Sequence, residues 1–558
     1  MAEKVWHKFY PAGVPRNIDY QKVTISEALT RSAQKYPNRP ALEYMGKRIS
    51  YKELDGMVNQ CARALTDMGV KKGDNVAVCL PNIPQVVIAD LAIFRIGAVI
   101  AQNNPLYTER ELEYQLNDSG SKVIITMSLL VPRMQGLMKK TKIKKIIACH
   151  IHSYLPFPKK QLFPYVKKAM HRAIEETDSL KVFSNLIKKY SSAPVKDESK
   201  WDNLATIIYT GGTTGVSKGV MLSHKNLSSN VQQIQTWFPD LTFGTDSMVA
   251  TYPLFHSAGN IISCFIIWMG WEQILIPRPE PKGIIEILKR TKPHWLPGVP
   301  TIFVGLLNDP DFRKMDLTFI KGFFSAAAPL APETLRDLKD LTGATMSEIY
   351  GMTEVSPAAT MTPSSGTIKA GTVGIPIADT DVKVMDPETG KKELGPGETG
   401  EIIIKGPQLM MGYYNKPKET KEAVKDGWFF TGDLGFFDKD GYLSIVDRKK
   451  DMVIAGGYNI YPVEIDNLLY EHPKILEACC AGVPDKYRGE TIKAFIVAKP
   501  GETLTADEVV AYCKKNLAAY KVPKAVEFMD ELPKSVVGKV LRRKLRDMEM
   551  ERAKKAAK

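Results

Sequence analysis

Short apolar runs alternate with helical patterns along much of the chain, and residues 86–96 form one of the clearest helical patterns. The apolar runs lie at 76–80, 98–101, 123–125, 207–209, 274–277 and 323–325. Such alternation is typical of parallel strands that are covered by helices. The pattern therefore predicts an α/β fold of layered sheets and helices.

A charged segment near residue 450 divides the chain into two parts. Residues 447–451 (DRKKD) stand between two strand-like segments, and solvated charge in this place suits a linker. The following part has a strand pattern at 494–498 and a helical pattern at 506–516. A chain of 558 residues exceeds what one hydrophobic core usually organises. We therefore expect a large N-terminal domain, 1–447, and a small, mobile α+β C-terminal domain, 448–558.

The segment 155–190 differs in character from the rest of the chain. Four apolar residues at helical spacing alternate with five cations: Phe163, Val166, Met170 and Ile174, with Lys159, Lys160, Lys167, Lys168 and Arg172. The spacing predicts a basic amphipathic helix. Such a helix either packs its apolar stripe on the main domain or lies on an anionic membrane surface, and the sequence leaves both interpretations open.

The length of the apolar segments limits any membrane contact to the surface. The longest strongly apolar stretch, 261–269, is far shorter than the roughly 20 residues that cross a bilayer. The seven cysteines are scattered without paired metal-ligand spacings, and no signal peptide is recognised. We therefore expect a cytoplasmic protein, with peripheral contact at the inner membrane face as the alternative.

The net charge narrows the class of partner. A formal charge of +14 favours anionic partners such as nucleotides, acidic lipid or nucleic acid. No aromatic-rich RNA motif or zinc pattern supports nucleic acid, so none is expected. Residues 149–152 (CHIH) lack a second ligand pair, and we expect no metal there. The oligomeric state is left open.

The segment 209–219 (YTGGTTGVSKG) has the composition of a phosphate-binding loop between an apolar strand and a helix-like run. Glycines let the backbone approach phosphate oxygens, while hydroxyl groups and Lys218 add donors and charge. It is not the common nucleoside-triphosphatase loop, because Ser217 stands where that pattern requires glycine. An ordinary flexible turn is the alternative.

Five further segments occur in the order and spacing of one known superfamily. They are 350–354 (YGMTE), 427–433 (GWFFTGD), 447–451 (DRKKD) with 456–459 (GGYN), and 533–539 (PKSVVGK). Together with the loop, they make the chain resemble the adenylate-forming superfamily, which contains acyl-CoA synthetases, peptide-synthetase adenylation domains and beetle luciferases. The resemblance implies an ATP-dependent acyl-CoA ligase. The carboxylate would attack the α-phosphorus of ATP, displace pyrophosphate and form an acyl-adenylate, which then accepts the thiol of coenzyme A.

The resemblance assigns roles to the motif residues. Glu354, with Thr210, would hold Mg²⁺ on the phosphates of ATP, and the Thr353 hydroxyl would hold the α-phosphate. Asp433 and Arg448 would bind the ribose. The predicted ATP-binding residues are Thr210, Gly211, Gly212, Thr213, Thr214, Gly215, Lys218, Tyr350, Gly351, Thr353, Asp433, Arg448 and Lys539, of which Tyr350 would stack on adenine.

The resemblance also implies a catalytic lysine and a moving domain. Lys539 would neutralise charge in the transition state of adenylation, next to the catalytic residues Thr353, Glu354 and His256. Lys450 would be the hinge about which the small domain rotates between the two half-reactions. After rotation, the pantetheine arm of coenzyme A would pass a channel lined by Gly456, Gly457 and Tyr458.

The acyl pocket is predicted around the residues that follow His256, which matches a family position between the acyl pocket and the adenylate. The predicted lining is His256, Ala258, Ile261, Ile262, Phe265 and Ala327. Without Asp, Lys or Arg, this lining argues against an amino acid, whose ammonium group requires a buried carboxylate.

Among acyl-CoA synthetases, the chain is most similar to the medium- and long-chain fatty acid ligases, through residues 447–452 and the basic insertion. Relatives often have glycine in the turn occupied here by residues 326–328, and the extra methyl groups leave the chain length of the substrate open. A ligase for an aromatic or alicyclic acid is the alternative substrate class. Luciferases share these motifs, so an oxygen-dependent side reaction is also left open.

Overall fold

The fold is built on four β-sheets, three within residues 40–448 and one within residues 453–528. The computed structural model describes residues 4–210, 217–326, 330, 332–449, 451–455, 458–485, 489–519, 521–535 and 538–556. The expected α/β class, with a large N-terminal and a smaller C-terminal domain, is confirmed. The boundary at residues 447 and 448 stays a prediction. None of the helices within the described ranges has the length and hydropathy that spanning a membrane requires.

The first sheet has nine strands, and its six central strands run parallel. The strands are β1 (Pro40–Tyr44), β2 (Lys47–Ser50), β10 (Ser247–Ala250), β11 (Glu272–Leu275), β12 (Trp295–Gly298), β13 (Gly322–Ala326), β14 (Thr345–Gly351), β15 (Ala358–Met361) and β16 (Ile375–Pro376). They follow the spatial order β16-β15-β14-β13-β12-β10-β11-β1-β2. This sheet places the 350–354 motif at the end of β14.

The second sheet has eight strands in the order β19-β9-β8-β4-β3-β5-β6-β7, parallel from β8 to β7. The strands are β3 (Asn75–Cys79), β4 (Val99–Gln102), β5 (Val123–Met127), β6 (Lys145–Cys149), β7 (Leu180–Val182), β8 (Leu204–Thr210), β9 (Lys218–Ser223) and β19 (Gly412–Tyr413).

One prediction about the phosphate loop is wrong: the segment after it is a strand, β9, which pairs antiparallel with β8. The two strands approach so closely at Gly219 that a Cβ on this residue would lie 2.7 Å from the Cγ2 of Ile207. The expected helix begins later, at His224, where the Ser223 side chain accepts from the Asn226 backbone N–H. The loop therefore joins a β-hairpin and does not open a helix.

The third sheet is antiparallel and carries two of the sequence motifs on adjacent strands. Its strands are β17 (Asp381–Met385), β18 (Gly400–Lys405), β20 (Val424–Lys425), β21 (Trp428–Phe437) and β22 (Leu443–Arg448). The register of β21 and β22 sets Asp433 opposite Arg448. Hydrogen bonding between strands thus brings together two residues from separate motifs.

The fourth sheet has its own hydrophobic core, which includes Ile465, Cys480, Ile496 and Cys513. Its strands are β23 (Val453–Ala455), β24 (Tyr458–Ile460), β25 (Ile475–Asp485), β26 (Gly489–Ala498) and β27 (Ala525–Phe528). A separate core is what an independent small domain requires.

Seventeen α-helices are present in the described ranges, and five of them, α1, α2, α3, α8 and α9, pack together in a core shared with both large sheets. The helices are α1 (Ile25–Lys35), α2 (Tyr51–Asp67), α3 (Pro84–Arg95), α4 (Glu109–Ser119), α5 (Val131–Met138), α6 (Lys159–Val166), α7 (Phe183–Ile187), α8 (His224–Trp237), α9 (Ser257–Met269), α10 (Pro281–Thr291), α11 (Pro300–Leu307), α12 (Pro310–Lys314), α13 (Pro332–Thr342), α14 (Pro417–Ala423), α15 (Pro462–Tyr470), α16 (Ala506–Asn516) and α17 (Arg542–Ala556). All seven cysteines are free and buried.

The predicted amphipathic helix of the insertion is much shorter than expected. Between residues 159 and 174, the stretch that carries the predicted stripe, only α6 is α-helical, and a short 3₁₀ helix, Lys168–Met170, follows it. The predicted apolar stripe is divided, since Phe163 and Ile174 pack against core clusters while Val166 and Met170 are exposed. Half of the stripe therefore packs on the domain and half faces solvent, and membrane contact of the exposed half stays a prediction.

Candidate active site

Three predicted nucleotide-binding side chains lie in contact. The Tyr350 hydroxyl donates a hydrogen bond to Oδ2 of Asp433 at 2.9 Å, and Nε of Arg448 lies 3.3 Å from Oδ1 of the same carboxylate. Tyr350 and Asp433 are buried, whereas Arg448 is partly exposed. The arrangement holds an aromatic ring beside a carboxylate and a guanidinium, a combination suited to a base and the hydroxyls of its sugar.

The turn after β14 requires glycine at its entrance. A Cβ on Gly351 would lie 1.7 Å from the Pro357 carbonyl oxygen, a distance that no side chain tolerates. The chain then forms a 3₁₀ turn, Thr353–Val355, in which the buried Thr353 hydroxyl lies 3.1 Å from the Ser257 hydroxyl of α9. Thr353 thereby faces the start of the helix that carries the predicted acyl pocket.

Glu354 forms a small cluster with two residues from the second sheet. The Tyr413 hydroxyl donates to Oε1 of Glu354 at 2.9 Å, and the Lys218 ammonium lies 4.8 Å from the centre of the Tyr413 ring. Burial raises the pKa of Glu354, while the Tyr413 hydrogen bond and the charges of Arg448 and Lys218 act against that rise. A carboxylate whose charge is disfavoured by burial gains from a nearby cation, so this donor set fits a hard divalent ion.

Tyr413 was missed by the sequence reasoning. It lies in β19, a two-residue strand that pairs with β9. Nothing in its local pattern distinguishes it from the adjacent Tyr414, whose hydroxyl accepts from the Asn75 side chain instead. Only the pairing of distant strands identifies which tyrosine reaches Glu354.

Lys539 belongs to a turn that docks on the large domain. A Cβ on Gly538 would lie 3.0 Å from the Thr301 hydroxyl and 3.3 Å from Val299, so the turn touches the start of α11. Lys539 is exposed to solvent. Surrounding protein atoms and the Arg448 charge nevertheless lower its pKa to about 8, against the opposing effect of Asp433.

His256 caps α9, and its Nδ1 accepts from the backbone N–H of Ala258 at 3.3 Å. Burial and, second, the charge of Lys539 lower the pKa of His256 to about 4. The imidazole is therefore neutral at pH 7. The Lys539 charge is thus near enough to the start of α9 to act on this imidazole.

An apolar cavity lies beside α9. Four predicted residues line it, namely Ala258, Ile261, Ile262 and Phe265, and Ala326 adds a methyl group from β13. Tyr252 also lines the cavity and was not predicted from the sequence. Its hydroxyl donates to the Gly298 carbonyl at 2.6 Å and accepts from the Ala326 N–H at 3.1 Å. His256 is not part of the lining.

The junction with the C-terminal domain contains an arginine that the motifs did not indicate. Arg542, the first residue of α17, pairs with Asp447 at 3.2 Å, with Asp451 at 3.9 Å and with Asp466. Asp447 is buried and also accepts from the backbone N–H of Val463. Arg542 thus joins carboxylates from both sides of the predicted hinge.

Several predicted residues lie outside the described ranges: Gly211, Gly212, Thr213, Thr214, Gly215, Ala327, Lys450, Gly456 and Gly457. Tyr458 lies in β24, and its side chain is also outside the description. Thr210 ends β8, and its hydroxyl donates to the Lys218 carbonyl at 3.4 Å. The roles predicted for these residues stay predictions.

Comparisons with known proteins agree over nearly the whole chain. The sequence pattern described as AMP-binding enzyme matches residues 29–414, and that of the AMP-binding enzyme C-terminal domain matches residues 464–539. The chain is 41% identical over 554 residues to a long-chain-fatty-acid–CoA ligase of Bacillus subtilis (strain 168), with 99% of each chain covered.

A second curated relative and a solved structure extend the comparison. The chain is 37% identical over 553 residues to a long-chain-fatty-acid–CoA ligase of Salmonella typhimurium, with 98% of each chain covered. Its fold is similar to that of ATP-bound MatB from Rhodopseudomonas palustris, with a TM-score of 0.82 and 31% identity. That alignment covers 94% of this chain and 98% of the MatB chain.

Proposed function

The chain belongs to the family of AMP-binding enzymes, and from this membership we propose how its cleft makes an acyl-CoA. It is an acid–thiol ligase that uses ATP and coenzyme A to activate a fatty acid. The observation that carries the substrate class is the apolar cavity beside α9, the helix whose first residue, Ser257, contacts Thr353. An apolar wall without charged groups suits a hydrocarbon chain.

We propose the following role for each described residue in adenylation. Asp433 and Arg448 bind the ribose hydroxyls, Tyr350 packs on the base, and Thr353 donates to the α-phosphate. Lys539 donates to the α-phosphate and the attacking carboxylate, where negative charge concentrates as the new P–O bond forms and pyrophosphate leaves. The neutral His256 stands at the helix start beside the carboxylate and orients it.

Mg²⁺ fits the oxygen ligands proposed for it. Glu354, with Thr210 at the end of β8, would hold the ion, and a bound Mg²⁺ supplies charge neutralisation on the phosphates. The chain's own contribution is the hydrogen bond from Tyr413, which holds the Glu354 carboxylate in place. The proposal also includes the coenzyme A step. Lys450 is the hinge of the small domain, and the channel for coenzyme A is lined by Gly456, Gly457 and Tyr458.

The proposed function is tested by pyrophosphate release with straight-chain, branched and aromatic acids, with and without coenzyme A. Straight-chain acids should support the fastest release, and acyl-CoA should appear only when coenzyme A is present. The fatty-acid assignment is wrong if benzoate or cyclohexane carboxylate outperforms every straight-chain acid from hexanoate to hexadecanoate. An acyl-CoA ligase for cyclic acids would then be the better description.

Tyr413→Phe is expected to raise the Mg²⁺ concentration needed for half-maximal adenylation by about tenfold. The substitution removes a hydrogen bond to a charged carboxylate, which contributes about 1.5–3 kcal/mol, while it keeps the ring under Lys218. The measurement is pyrophosphate release against Mg²⁺ concentration at saturating ATP. Tyr414→Phe, the adjacent tyrosine, serves as the matched control and should leave the curve unchanged; an equal shift in both variants contradicts the role of Tyr413.

We further propose that the insertion binds anionic membrane surfaces. Four large apolar side chains of this segment are unusually exposed: Phe157 at 83%, Leu162 at 52%, Tyr165 at 74% and Val166 at 70%. Exposed lysines surround them, among them Lys159, Lys167 and Lys168. Exposed apolar groups within a basic surface match the chemistry of a membrane interface.

Replacing Lys167, Lys168 and Arg172 with Gln should weaken binding to vesicles of phosphatidylserine and phosphatidylcholine by about tenfold or more, since each cation near an anionic surface contributes about 1 kcal/mol. Vesicle co-sedimentation measures the change. The control variant replaces three exposed lysines elsewhere, Lys391, Lys392 and Lys421, and loses the same net charge. If the control loses as much binding, the attraction is due to net charge and not to this surface.

A further inference from the structure

We propose that His150, His152 and His171 form a binding site for a divalent transition-metal ion, with Zn²⁺ as the expected occupant. One side-chain nitrogen from each residue lies within 4.8 Å of the other two. None of the three histidines is among the residues proposed for ATP or acyl binding, and two of them follow closely after β6 in the chain. The proposal therefore does not depend on the ligase function.

No metal was expected at residues 149–152 from the sequence, because a second ligand pair is lacking there. The structure supplies a third histidine from a distant position, since the chain returns after α6 and places His171 against the other two rings. The ring centres are 5.1 Å apart for His150 and His152, 5.4 Å for His150 and His171, and 5.1 Å for His152 and His171. Ligand nitrogens of a tetrahedral zinc site are about 3.3 Å apart, so modest side-chain rotations would bring the three nitrogens to one ion.

The hydrogen bonding of the three rings points to a missing shared ligand. The Nδ1 atom of each of these histidines is buried and has no hydrogen-bond partner among the described residues. A buried polar atom without a partner costs free energy, and three around one point are unusual in a folded protein. One metal ion would satisfy lone pairs of all three rings at once.

The donor set determines which class of ion fits. All three ligands are imidazoles, which suit Zn²⁺, Ni²⁺ and Cu²⁺, whereas Mg²⁺ and Ca²⁺ require oxygen ligands. An imidazole binds a metal through the lone pair of a ring nitrogen, and the unpartnered Nδ1 atoms of this cluster offer such lone pairs. The Lys160 charge acts on His152 and opposes a bound cation, so we expect weaker binding than at a three-histidine site without this charge.

The site would join the exposed insertion to the rigid sheet. His150 follows β6 and is held there by the Gln85 side chain, which donates to its carbonyl at 2.8 Å. His171 comes directly after the 3₁₀ helix of the insertion. Phe163 of α6 stacks on the His152 ring, with ring centres 5.3 Å apart. A bound ion would thus fix both ends of the segment that carries α6.

Equilibrium dialysis of untagged protein against about 10 µM free Zn²⁺ tests the proposal. We expect one zinc per chain in the wild type and at least tenfold weaker binding in His150→Gln, His152→Gln and His171→Gln. His472→Gln is the matched control, because His472 lies in the C-terminal domain and its Nδ1 accepts from the Lys474 N–H. The control should bind zinc like the wild type.

Two further measurements separate loss of the site from loss of the fold. Thermal unfolding without zinc should give similar midpoints for the wild type and His171→Gln, and zinc should raise only that of the wild type. Zinc should also slow tryptic cleavage at Lys167 and Lys168 several-fold in the wild type but not in His171→Gln. The proposal is overturned if the wild type binds no zinc under these conditions, or if all three variants bind it as tightly as the wild type.

Discussion

Lys539→Ala is expected to lower the rate of acyl-adenylate formation by about 100-fold or more while leaving thioester formation from supplied acyl-adenylate largely intact. The turn that carries Lys539 docks against Thr301, and the Lys539 charge affects the pKa of His256 at the start of α9. The ammonium can therefore act where the carboxylate attacks the α-phosphate. Single-turnover measurements of each half-reaction check this division.

The matched control is Lys534→Ala, which removes a lysine of the same segment that pairs with Glu477 on β25. We expect both half-reactions of this variant to stay near wild-type rates. Equal loss of the two half-reactions in Lys539→Ala would mean that this lysine serves both steps, or that the substitution disturbs the domain as a whole.

The pH dependence of adenylation follows from the same residue. A lysine stabilises negative charge only in its protonated form, which is lost as the pH rises through the pKa of about 8. One pH unit above that value, adenylation should therefore have fallen about tenfold, while the thioester step from supplied adenylate should show no such decline. Lys539→Arg should move the decline to higher pH, because arginine keeps its charge.

The largest effect is expected in the dependence of catalytic efficiency on acyl chain length. Each buried methylene contributes about 0.8 kcal/mol, so kcat/KM should rise by on the order of 1,000-fold from hexanoate to dodecanoate. The rise should stop where the apolar cavity beside α9 ends. The measurement is kcat/KM for each straight-chain acid at saturating ATP and coenzyme A, and a flat series would contradict burial of the chain in this cavity.

A variant of the cavity wall tests whether this cavity sets the chain length at which kcat/KM stops rising, which we call the break. Ile262 is half-buried and lines the space one helical turn beyond Ala258, so Ile262→Trp should shorten the space and move the break to shorter acids. Ile262→Val is the control, because it changes the volume little and should leave the break in place. An unchanged break in Ile262→Trp would place the acyl chain elsewhere.

The local elements followed from the pattern of side chains. The helical pattern at 506–516 corresponds to α16, and the apolar runs near 76, 98, 123 and 323 correspond to β3, β4, β5 and β13. These segments could be predicted because each buries a face whose period is set by its own backbone geometry. The insertion was harder to predict, since Pro164 lies within α6 and the chain leaves the α-helix after Val166.

The motifs identified Tyr350, Glu354, Asp433, Arg448 and Lys539 without any structure. Their positions depend on strand register and domain docking: Asp433 meets Arg448 because β21 pairs with β22, and the turn that carries Lys539 lies against Thr301. A residue type at a given spacing indicates chemistry, but a distance between two side chains does not follow from it.

The sequence by itself determined the α/β class, the family motifs and the apolar stretch that becomes α9. Only the tertiary structure decided that Tyr413 and not Tyr414 holds Glu354, that Arg542 joins three carboxylates at the domain junction, and that His171 meets His150 and His152. The physical reason is the range of the interactions. Helix and strand periodicity arise between neighbours in sequence, whereas these contacts join distant segments whose approach is set by the packing of whole elements.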